Sequence, residues 1–420
     1  MNAEERRRLL DEVRLASNCS HPIRLSGEMV DVATGEVSSR SLRVACKDRR
    51  RVVCPACSSL YKADAWILVA AGLAGGKGIH ADVASHPKMF VTLTAPGFGS
   101  VHTVTRNGSC HVISKGGVST CPHGLATSCN IRHLVDDPLL GTPLCDDCFD
   151  YVGAVRWNAH ASRLFSATIR QVQRRLAAEG GLPQVALATV ARLNYLKVAE
   201  MQRRGLVHFH CVLRLDGPEH AASPAPDWLD IDLLSDTFVK TIRTIELVGV
   251  DGRGVRWGHQ LHLSDLNPAT DDALKIANYV AKYAVKTTDG TIDLAYRFSK
   301  RCQIENLSID EHRRTLALAA WDLSSDPALE SLHSKLHAHA FGFTGQLITK
   351  SRRFTTTFGA LRHARAEFMA PSNQFEVLGG TFHYEGRGYD HPRGVELAEV
   401  FFSMDAELRK ERAEARREGD

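Results

Sequence analysis

Arg204-Gly205-Leu206-Val207-His208-Phe209-His210-Cys211-Val212-Leu213-Arg214-Leu215 decides the fold. Val198-Ala199-Glu200-Met201-Gln202 precedes it, and Arg203-Arg204-Gly205 between them is a polar, glycine-containing tight turn. After the turn an apolar run carries two histidines one residue apart. Side chains of a β-strand alternate between faces, so His208 and His210 point one way. Phe209, Cys211 and Leu213 point the other way, into a core. With Arg203, Arg204 and Gly205 at the tip of a hairpin, Glu200 falls opposite His208 on the same face. A carboxylate beside two imidazoles suits Mg²⁺, Mn²⁺ or Zn²⁺ with positions left open for a substrate. The third ligand stays open between Glu200 and Gln202. A His-x-His pair on a strand also occurs without any metal, so the pair needs support from elsewhere in the chain.

That support is Asn278-Tyr279-Val280-Ala281-Lys282-Tyr283-Ala284-Val285-Lys286. The pattern predicts a helix starting near Asp271-Asp272, whose charge suits its positive end, and stopping after Lys286 with Gly290 beyond. Ala273, Ile276, Ala277, Val280 and Ala284 form its buried stripe. Tyr279 and Tyr283, four residues apart, share one side of the helix at the edge of that stripe. Lys275, Lys282 and Lys286 lie on the same polar flank. Tyrosines that border a core are commonly packing residues, and the His-x-His gives these two a chemical alternative. A tyrosine hydroxyl attacks a phosphodiester when the phosphate charge is offset, the nucleophile is held in line and the leaving 3′-oxygen is stabilised. A divalent ion on His208 and His210 meets the first need and helps the third. A helix-borne tyrosine meets the second. Lys282 and Lys286, each three positions after a tyrosine, can offset charge or lower a phenol pKa of roughly 10.

Met89-Phe90-Val91-Thr92-Leu93-Thr94 is apolar and β-branched and breaks at Pro96-Gly97, which predicts a buried strand. Thr92-Leu93-Thr94, His208-Phe209-His210 and Tyr279-Val280-Ala281-Lys282-Tyr283, in that order, resemble the three motifs of the HUH endonucleases. These are the rolling-circle replication initiators of phages, plasmids and integrative elements. Glu200-Met201-Gln202-Arg203-Arg204-Gly205 resembles the segment preceding the histidine motif in the phage and plasmid members. The tyrosine pair resembles the two-tyrosine form of initiators of small icosahedral phages, in which one tyrosine starts a round and the other ends it. The cysteine-rich flanks and the Lys350 region further resemble initiators of actinobacterial integrative and conjugative elements and plasmids.

The resemblance, which covers mainly residues 89–290, implies an α+β fold. Its core is an RRM-like central antiparallel sheet with helices on one face. It implies a metal-dependent single-strand DNA endonuclease and strand transferase that nicks an origin through a 5′-phosphotyrosyl link and rejoins the strand. It also implies Mg²⁺ or Mn²⁺ at the catalytic site and single-stranded or hairpin origin DNA as substrate. No fused helicase is recognisable, so the resemblance implies a host helicase and polymerase as partners.

The rest of the chain frames that centre. Its 420 residues suffice for two or three domains, and 44% hydrophobic and 24% charged residues are ordinary for a globular protein. A net charge of +4 announces no polycation; the cations cluster instead, as in Lys47-Asp48-Arg49-Arg50-Arg51 and Lys350-Ser351-Arg352-Arg353. No apolar stretch approaches the roughly 20 residues that span a bilayer. Glu4-Glu5-Arg6-Arg7-Arg8 is no signal peptide, so a cytoplasmic protein without membrane contact is expected.

Eleven cysteines in such a chain point to metal rather than disulfides. Cys54-Pro55-Ala56-Cys57, with Cys46 as a third ligand and Cys19 or a nearby residue as the fourth, supplies one zinc set. Cys121-Pro122-His123 with Cys145-Asp146-Asp147-Cys148 supplies a second, leaving Cys110 and Cys129 as spare candidates. Zinc at one or two structural sites is expected. Gly72 to Gly78 fails the phosphate-loop spacing, because three residues rather than four separate Gly72 from Gly76-Lys77 and Gly78 follows.

The domain reading is an N-terminal region with a zinc knuckle over 1–88, then a nicking domain over 89–296 with a zinc-binding insertion at about 106–150. A C-terminal region over 297–420 follows. Helices are predicted over 1–18, 153–178 and 233–247, and strands over 185–190, 195–202 and 257–263, with a Pro- and Ala-rich loop from Pro218 to Asp230. His337-Ala338-His339 repeats the histidine spacing without an apolar strand around it. Thr349-Lys350-Ser351-Arg352-Arg353-Phe354-Thr355 interleaves cations, hydroxyls and an aromatic. It suits DNA contact through Lys350, Arg352 and Arg353 with stacking on the ring, and equally a plain surface strand. A charged helix ends the chain from Asp405.

Three rivals remain. A conjugative relaxase would use the same chemistry, although relaxases tend to place the tyrosine before the histidines. A non-catalytic zinc-ribbon DNA-binding regulator explains the cysteines but leaves the His-x-His and paired tyrosines as coincidences. A metallohydrolase using water fits a single histidine pair poorly.

Overall fold

The computed structural model describes residues 2–30, 35, 37–105, 109–111, 119–266, 272–286, 296–369 and 382–418. In chain order its elements begin α1 (Ala3–Leu15), β1 (Ile23–Val30), β2 (Val37–Val44), α2 (Pro55–Ala74), β3 (Lys88–Leu93) and α3 (Tyr151–Glu179). The centre of the chain forms α4 (Gln184–Val190), β4 (Arg192–Met201), β5 (Val207–Asp216), α5 (Ile231–Thr244), β6 (Leu247–Val248), β7 (Gly254–Val255), β8 (Leu261–Asp265) and α6 (Asp272–Lys286). Then come α7 (Arg301–Glu305), α8 (Glu311–Leu323), β9 (Ile348–Lys350), α9 (Phe358–Met369), β10 (His383–Arg387) and α10 (Arg393–Glu418). No helix among the described residues is long and apolar enough to cross a membrane.

The described chain packs as two compact units that interleave the sequence. One takes Met1–Leu68 and Thr357–Asp420; the other takes Val69–Ala284 and Asp293–Thr356. The chain beyond 297 is divided between the two packing units.

The first unit holds a three-stranded antiparallel sheet in the order β10-β1-β2. Helix α1 opens with a capping box: Asn2 and Glu5 each accept the other's backbone N–H at 2.8 Å. Asn18 donates to Asp405 of α10 at 2.8 Å, and the Tyr389 hydroxyl donates to the Cys19 carbonyl at 2.7 Å. These contacts knit the two chain termini into one body.

The second unit is built on a five-stranded antiparallel sheet in the order β8-β3-β5-β4-β9. The histidine strand is its central strand. Phe209, Cys211 and Leu213 are fully buried on one face, with Phe209 against Phe165 of α3, Trp257 and Phe343 at ring-centroid distances of 5.9, 5.9 and 6.1 Å. On that face Lys197 lies buried with its ammonium 4.2 Å from the centroid of Phe209, and burial pushes its pKa down to about 8. Helix α5 packs on α3 and buries Leu234, Phe238 and Ile242.

The opposite face is not bare, contrary to the expected arrangement with helices on one side only. Phe90 of that face meets Tyr279 of α6 edge-on at 5.5 Å, so the tyrosine helix lies across it. At the far end of the same face Arg214 and Asp216 form a fully buried pair, at 2.7 and 2.8 Å. His86 lies 2.7 Å from Asp216, Asn194 donates to it at 2.6 Å, and the Arg214 guanidinium rests 4.9 Å from the centre of the Phe354 ring. Breaking such a pair would strand a charge in the core.

Two expectations from the sequence give way here. Val185–Val190, predicted as a strand, is the helix α4. Pro183 starts it, the Ala-Leu-Ala centre favours helix over the β-branched flanks, and Leu187 alone is buried, which needs a helical and not an alternating period. The strand predicted over 257–263 begins later, at Leu261, while Trp257 sinks its ring beside Trp157 and donates its N–H to Thr168 at 2.9 Å. Gly72 to Gly78 is the end of α2 followed by a loop, in which Gly75, Gly76 and Gly78 all have positive φ.

Candidate functional site

The β4–β5 hairpin sets the site. Gly205 donates to the Gln202 carbonyl and Gln202 to the Leu206 carbonyl, both at 2.9 Å, which puts Arg203, Arg204 and Gly205 at the tip. Gly205 has φ +74°, and a Cβ there would lie 2.1 Å from Leu316 Cδ1. Only glycine fits both demands. Asn158 of α3, fully buried, holds the turn: its amide donates to the carbonyls of Gly205 (2.8 Å) and Phe341 (3.0 Å), and its oxygen accepts from Val207 at 3.0 Å. Arg204, whose pKa burial lowers to about 10, donates to Gln202 Oε1 at 2.9 Å and to the carbonyls of Ala95 and Pro96 at 3.2 Å.

This closure pairs Glu200 with His208 across the ladder, and His210 with Val198 on one side and Thr92 on the other. Directly opposed residues share a face, so Glu200, His208, His210 and Thr92 stand together. Glu200 Oε2 lies 3.0 Å from His210 Nε2, and the two imidazole centroids are 4.7 Å apart. A separation near 3 Å is that of neighbouring ligands at about 2.1 Å from one ion. Gln202 instead gives its oxygen to Arg204. Thr92 Oγ1 is 3.3 Å from His210 Nδ1, which aims the other ring nitrogen at Glu200.

Tyr279 projects from α6 over this cluster. Its ring meets His210 edge-on at 5.4 Å, stays 40% exposed, and so combines proximity to the imidazoles with access from solvent. Ala277, Val280 and Ala281 bury the rest of the helix, and Lys275 and Lys282 are exposed. Tyr283 and Lys286 belong to α6, but their side chains lie outside the described residues, as do those of Ala273 and Ala284.

Among the described residues three four-donor groups gather elsewhere, each with all its ligand atoms within 4.8 Å of one another. Cys19, Cys46, Cys54 and Cys57 form the first, in a buried patch with Ala16. Cys46 Sγ lies 3.6 Å from Cys57 Sγ and Cys54 Sγ lies 3.7 Å from Cys19 Sγ, the spacing of thiolates gathered about 2.3 Å from one zinc ion. Cys121, His123, Cys145 and Cys148 form the second; Gly124, at φ +82°, turns the chain so that its N–H reaches the Cys121 carbonyl. His102, Cys110, Cys129 and His133 form a third that the sequence reading left as two spare cysteines. The Cys129-x-x-x-His133 spacing was its available signal. Four soft donors at this separation can hold a zinc ion.

The Lys350 stretch is less of a DNA surface than its composition implied. Arg352 and Arg353 are exposed, but Lys350 turns its ammonium onto the Arg352 carbonyl at 3.1 Å. Phe354 is fully buried under Arg214 and against Gly72, so its ring is not available for stacking on a base. His337 and His339 lie in a 3-10 turn (Ser334–Ala340), their rings 6.1 Å apart, with no strand to align them.

A family model described as "Replication initiator protein, pSAM2" matches residues 5–401. A curated replication initiator protein of Streptomyces ambofaciens is 36% identical over 386 residues, covering 86% of this chain and 80% of its own length. No solved structure matches. A family match along nearly the whole chain, together with that identity over most of both sequences, makes this chain a member of the RepSA family of replication initiator proteins.

Proposed function

We propose that this initiator nicks and rejoins one strand of its origin by tyrosine attack, on a core of HUH type. One observation carries the reading: the Tyr279 ring lies 5.4 Å from His210 on the sheet face where Glu200 meets that same histidine at 3.0 Å. His208, His210 and Glu200 would hold a divalent ion, Mg²⁺ or Mn²⁺. When bound, that ion offsets phosphate charge and polarises a non-bridging oxygen. The central antiparallel sheet fixes the ligands, and α6 holds the nucleophile above them.

In the nicking step the Tyr279 oxygen forms a bond to phosphorus as the bond from phosphorus to the 3′-oxygen breaks. The phenol proton passes to solvent, and the leaving 3′-oxygen takes one up as the hydroxyl. The DNA is left with a 5′-phosphotyrosyl link, and rejoining is the reverse: a 3′-hydroxyl attacks that phosphorus and frees the tyrosine. Bond energy is kept, so no nucleotide triphosphate is consumed. Lys282, exposed one helical turn beyond Tyr279, offers its charge to the scissile region, with Lys286 a turn further. Tyr283 serves the second cleavage. The Cys19 and Cys121 groups carry structural zinc, Arg352 and Arg353 touch the phosphate backbone, and host helicase and polymerase extend the fork.

The experiment is adduct formation on a denaturing gel, with labelled single-stranded DNA from the protein's own replicon and Mn²⁺. The expected result is a covalent adduct with wild type, lost in Tyr279→Phe/Tyr283→Phe and in His208→Ala/His210→Ala. The single tyrosine variants rank the two nucleophiles. Tight origin binding with no adduct from any variant overturns the nuclease reading and leaves a zinc-bearing DNA-binding protein.

A further inference from the structure

Among the described residues, the insertion after β3 has almost no hydrophobic core of its own. Between Val101 and Leu144 the buried apolar side chains among the described residues are Cys110, Cys129 and Leu140, whereas Val104, Leu125, Ile131, Leu134, Val135 and Leu139 are exposed. A segment that buries so little needs another source of order. The group made by His102, Cys110, Cys129 and His133 sits at its centre.

The surroundings of these four residues have the form of a ligand shell. A short antiparallel bridge, with His111 and Cys129 exchanging N–H···O bonds at 2.9 Å, holds Cys110 beside Cys129. The Thr103 amide donates to Cys110 Sγ at 3.1 Å, the kind of bond that favours a thiolate. His133 gives its Nδ1 side to Asp137 Oδ2 at 2.6 Å, which turns Nε2 inward, 3.5 Å from Cys129 Sγ and 3.1 Å from His102 Nδ1. A carboxylate behind a ligating imidazole is the usual outer support of a zinc-bound histidine. Two thiolates and two imidazoles are a complete tetrahedral set with no open position, so the site is structural and not catalytic.

Asp137 also faces the hairpin. Its main-chain carbonyl accepts from Arg203 Nη1 at 3.0 Å. Gly141 packs so tightly on the tip that an added Cβ would lie 2.6 Å from the Arg203 carbonyl carbon. The residues that follow His133 are therefore a brace on the turn that sets Glu200 opposite His208.

We propose that His102, Cys110, Cys129 and His133 bind a third structural zinc, supported by Asp137, and that this zinc anchors the β4–β5 turn. The zinc assignment stands on these residues alone; only its consequence for cleavage rests on the function proposed above.

The test is metal content of the purified full-length protein by mass spectrometry. Wild type should carry three zinc ions per chain. Cys110→Ser/Cys129→Ser and His133→Ala should each carry two. His133→Cys, which exchanges one zinc ligand for another, should keep three, so the assignment stays testable if the serine variant does not fold. Loaded with Co²⁺, the His133→Cys protein should gain one thiolate's share of charge-transfer absorption. Asp137→Asn should keep three ions but release one to a chelator about 10–100-fold more readily. In hydrogen exchange that variant, stripped of the labile ion, should show faster exchange across 202–206. Two ions in wild type with no loss in the serine or alanine variants, or a Cys110–Cys129 disulfide in the native protein, overturns the site. An unchanged exchange rate across 202–206 after release of the third ion overturns the anchoring role. Neither outcome depends on whether the protein nicks DNA.

Discussion

Gly205→Ala should be among the most costly single-methyl changes in this protein. Alanine at φ +74° costs about 1–2 kcal/mol in backbone strain. The new methyl also lands 2.1 Å from Leu316 Cδ1, on a side chain with no exposure and no room to withdraw, and overpacking of that kind costs about 1–3 kcal/mol. Together the loss is about 2–5 kcal/mol, separable into its two parts by a double-mutant cycle. Leu316→Ala alone should lose about 2–5 kcal/mol by leaving a cavity. In Gly205→Ala/Leu316→Ala the methyl occupies that cavity, so the double variant should be more stable than the sum of the singles by the steric part, about 1–3 kcal/mol. The backbone part should remain. Urea unfolding followed by tryptophan fluorescence reads chiefly the right unit, since four of the five tryptophans, Trp157, Trp228, Trp257 and Trp321, lie in the unit that contains the hairpin and only Trp66 lies in the other. A loss below about 0.5 kcal/mol, or additivity of the two substitutions within about that margin, would refute the claim that the tip is packed shut.

Three further outcomes follow from the geometry. Glu200→Ala should weaken Mn²⁺ binding by at least tenfold in titration calorimetry, whereas Gln202→Ala, whose partner is Arg204, should change it less than threefold; equal effects would reopen the choice of third ligand. Burial raises the Asp216 pKa, but hydrogen bonds from His86, Arg214 and Asn194 outweigh it and hold the carboxyl below its ordinary value. A depressed folded-state pKa means stability that is present above the unfolded value of roughly 4 and lost as pH falls through the folded one. Asp216→Asn should thus cost about 3–5 kcal/mol at neutral pH by stranding Arg214. The gap to wild type should narrow in acid, and a gap constant from pH 7 to 2 would contradict the assignment. Arg352→Ala and Arg353→Ala should each lower the salt dependence of DNA binding by about one counterion. Phe354→Ala should instead lower stability by about 3–5 kcal/mol and leave affinity of the folded protein within twofold, and a selective loss of DNA affinity in that variant would restore a stacking role.

The local pattern of the site was legible in the sequence because it depends on short-range rules. Strand alternation put His208 and His210 on one face, and a tip at Arg203-Arg204-Gly205 placed Glu200 opposite His208, since hairpin register follows from where the turn closes. Helical patterning gave the bounds of α6, and knuckle spacing grouped Cys54 with Cys57, Cys121 with His123 and Cys145 with Cys148. Other features were set by residues distant in sequence. Whether Glu200 or Gln202 faces the imidazoles was decided by Arg204, which is drawn to the carbonyls of Ala95 and Pro96 and takes Gln202 with it. Phe354 left the surface because a buried Arg214 needed an aromatic face and Gly72 left space for one. Val185–Val190 became a helix because a single apolar contact at Leu187 was all the tertiary structure asked of it. The third donor group joins positions 31 residues apart in the chain, His102 and His133, with no repeated spacing between them. Sequence alone fixed what each residue type could do along a strand, helix or knuckle, because those periods are properties of the backbone. Only the tertiary structure decided which of several chemically able side chains met, because partners across the sheet and insertion are chosen by packing and by the need to satisfy every buried polar group.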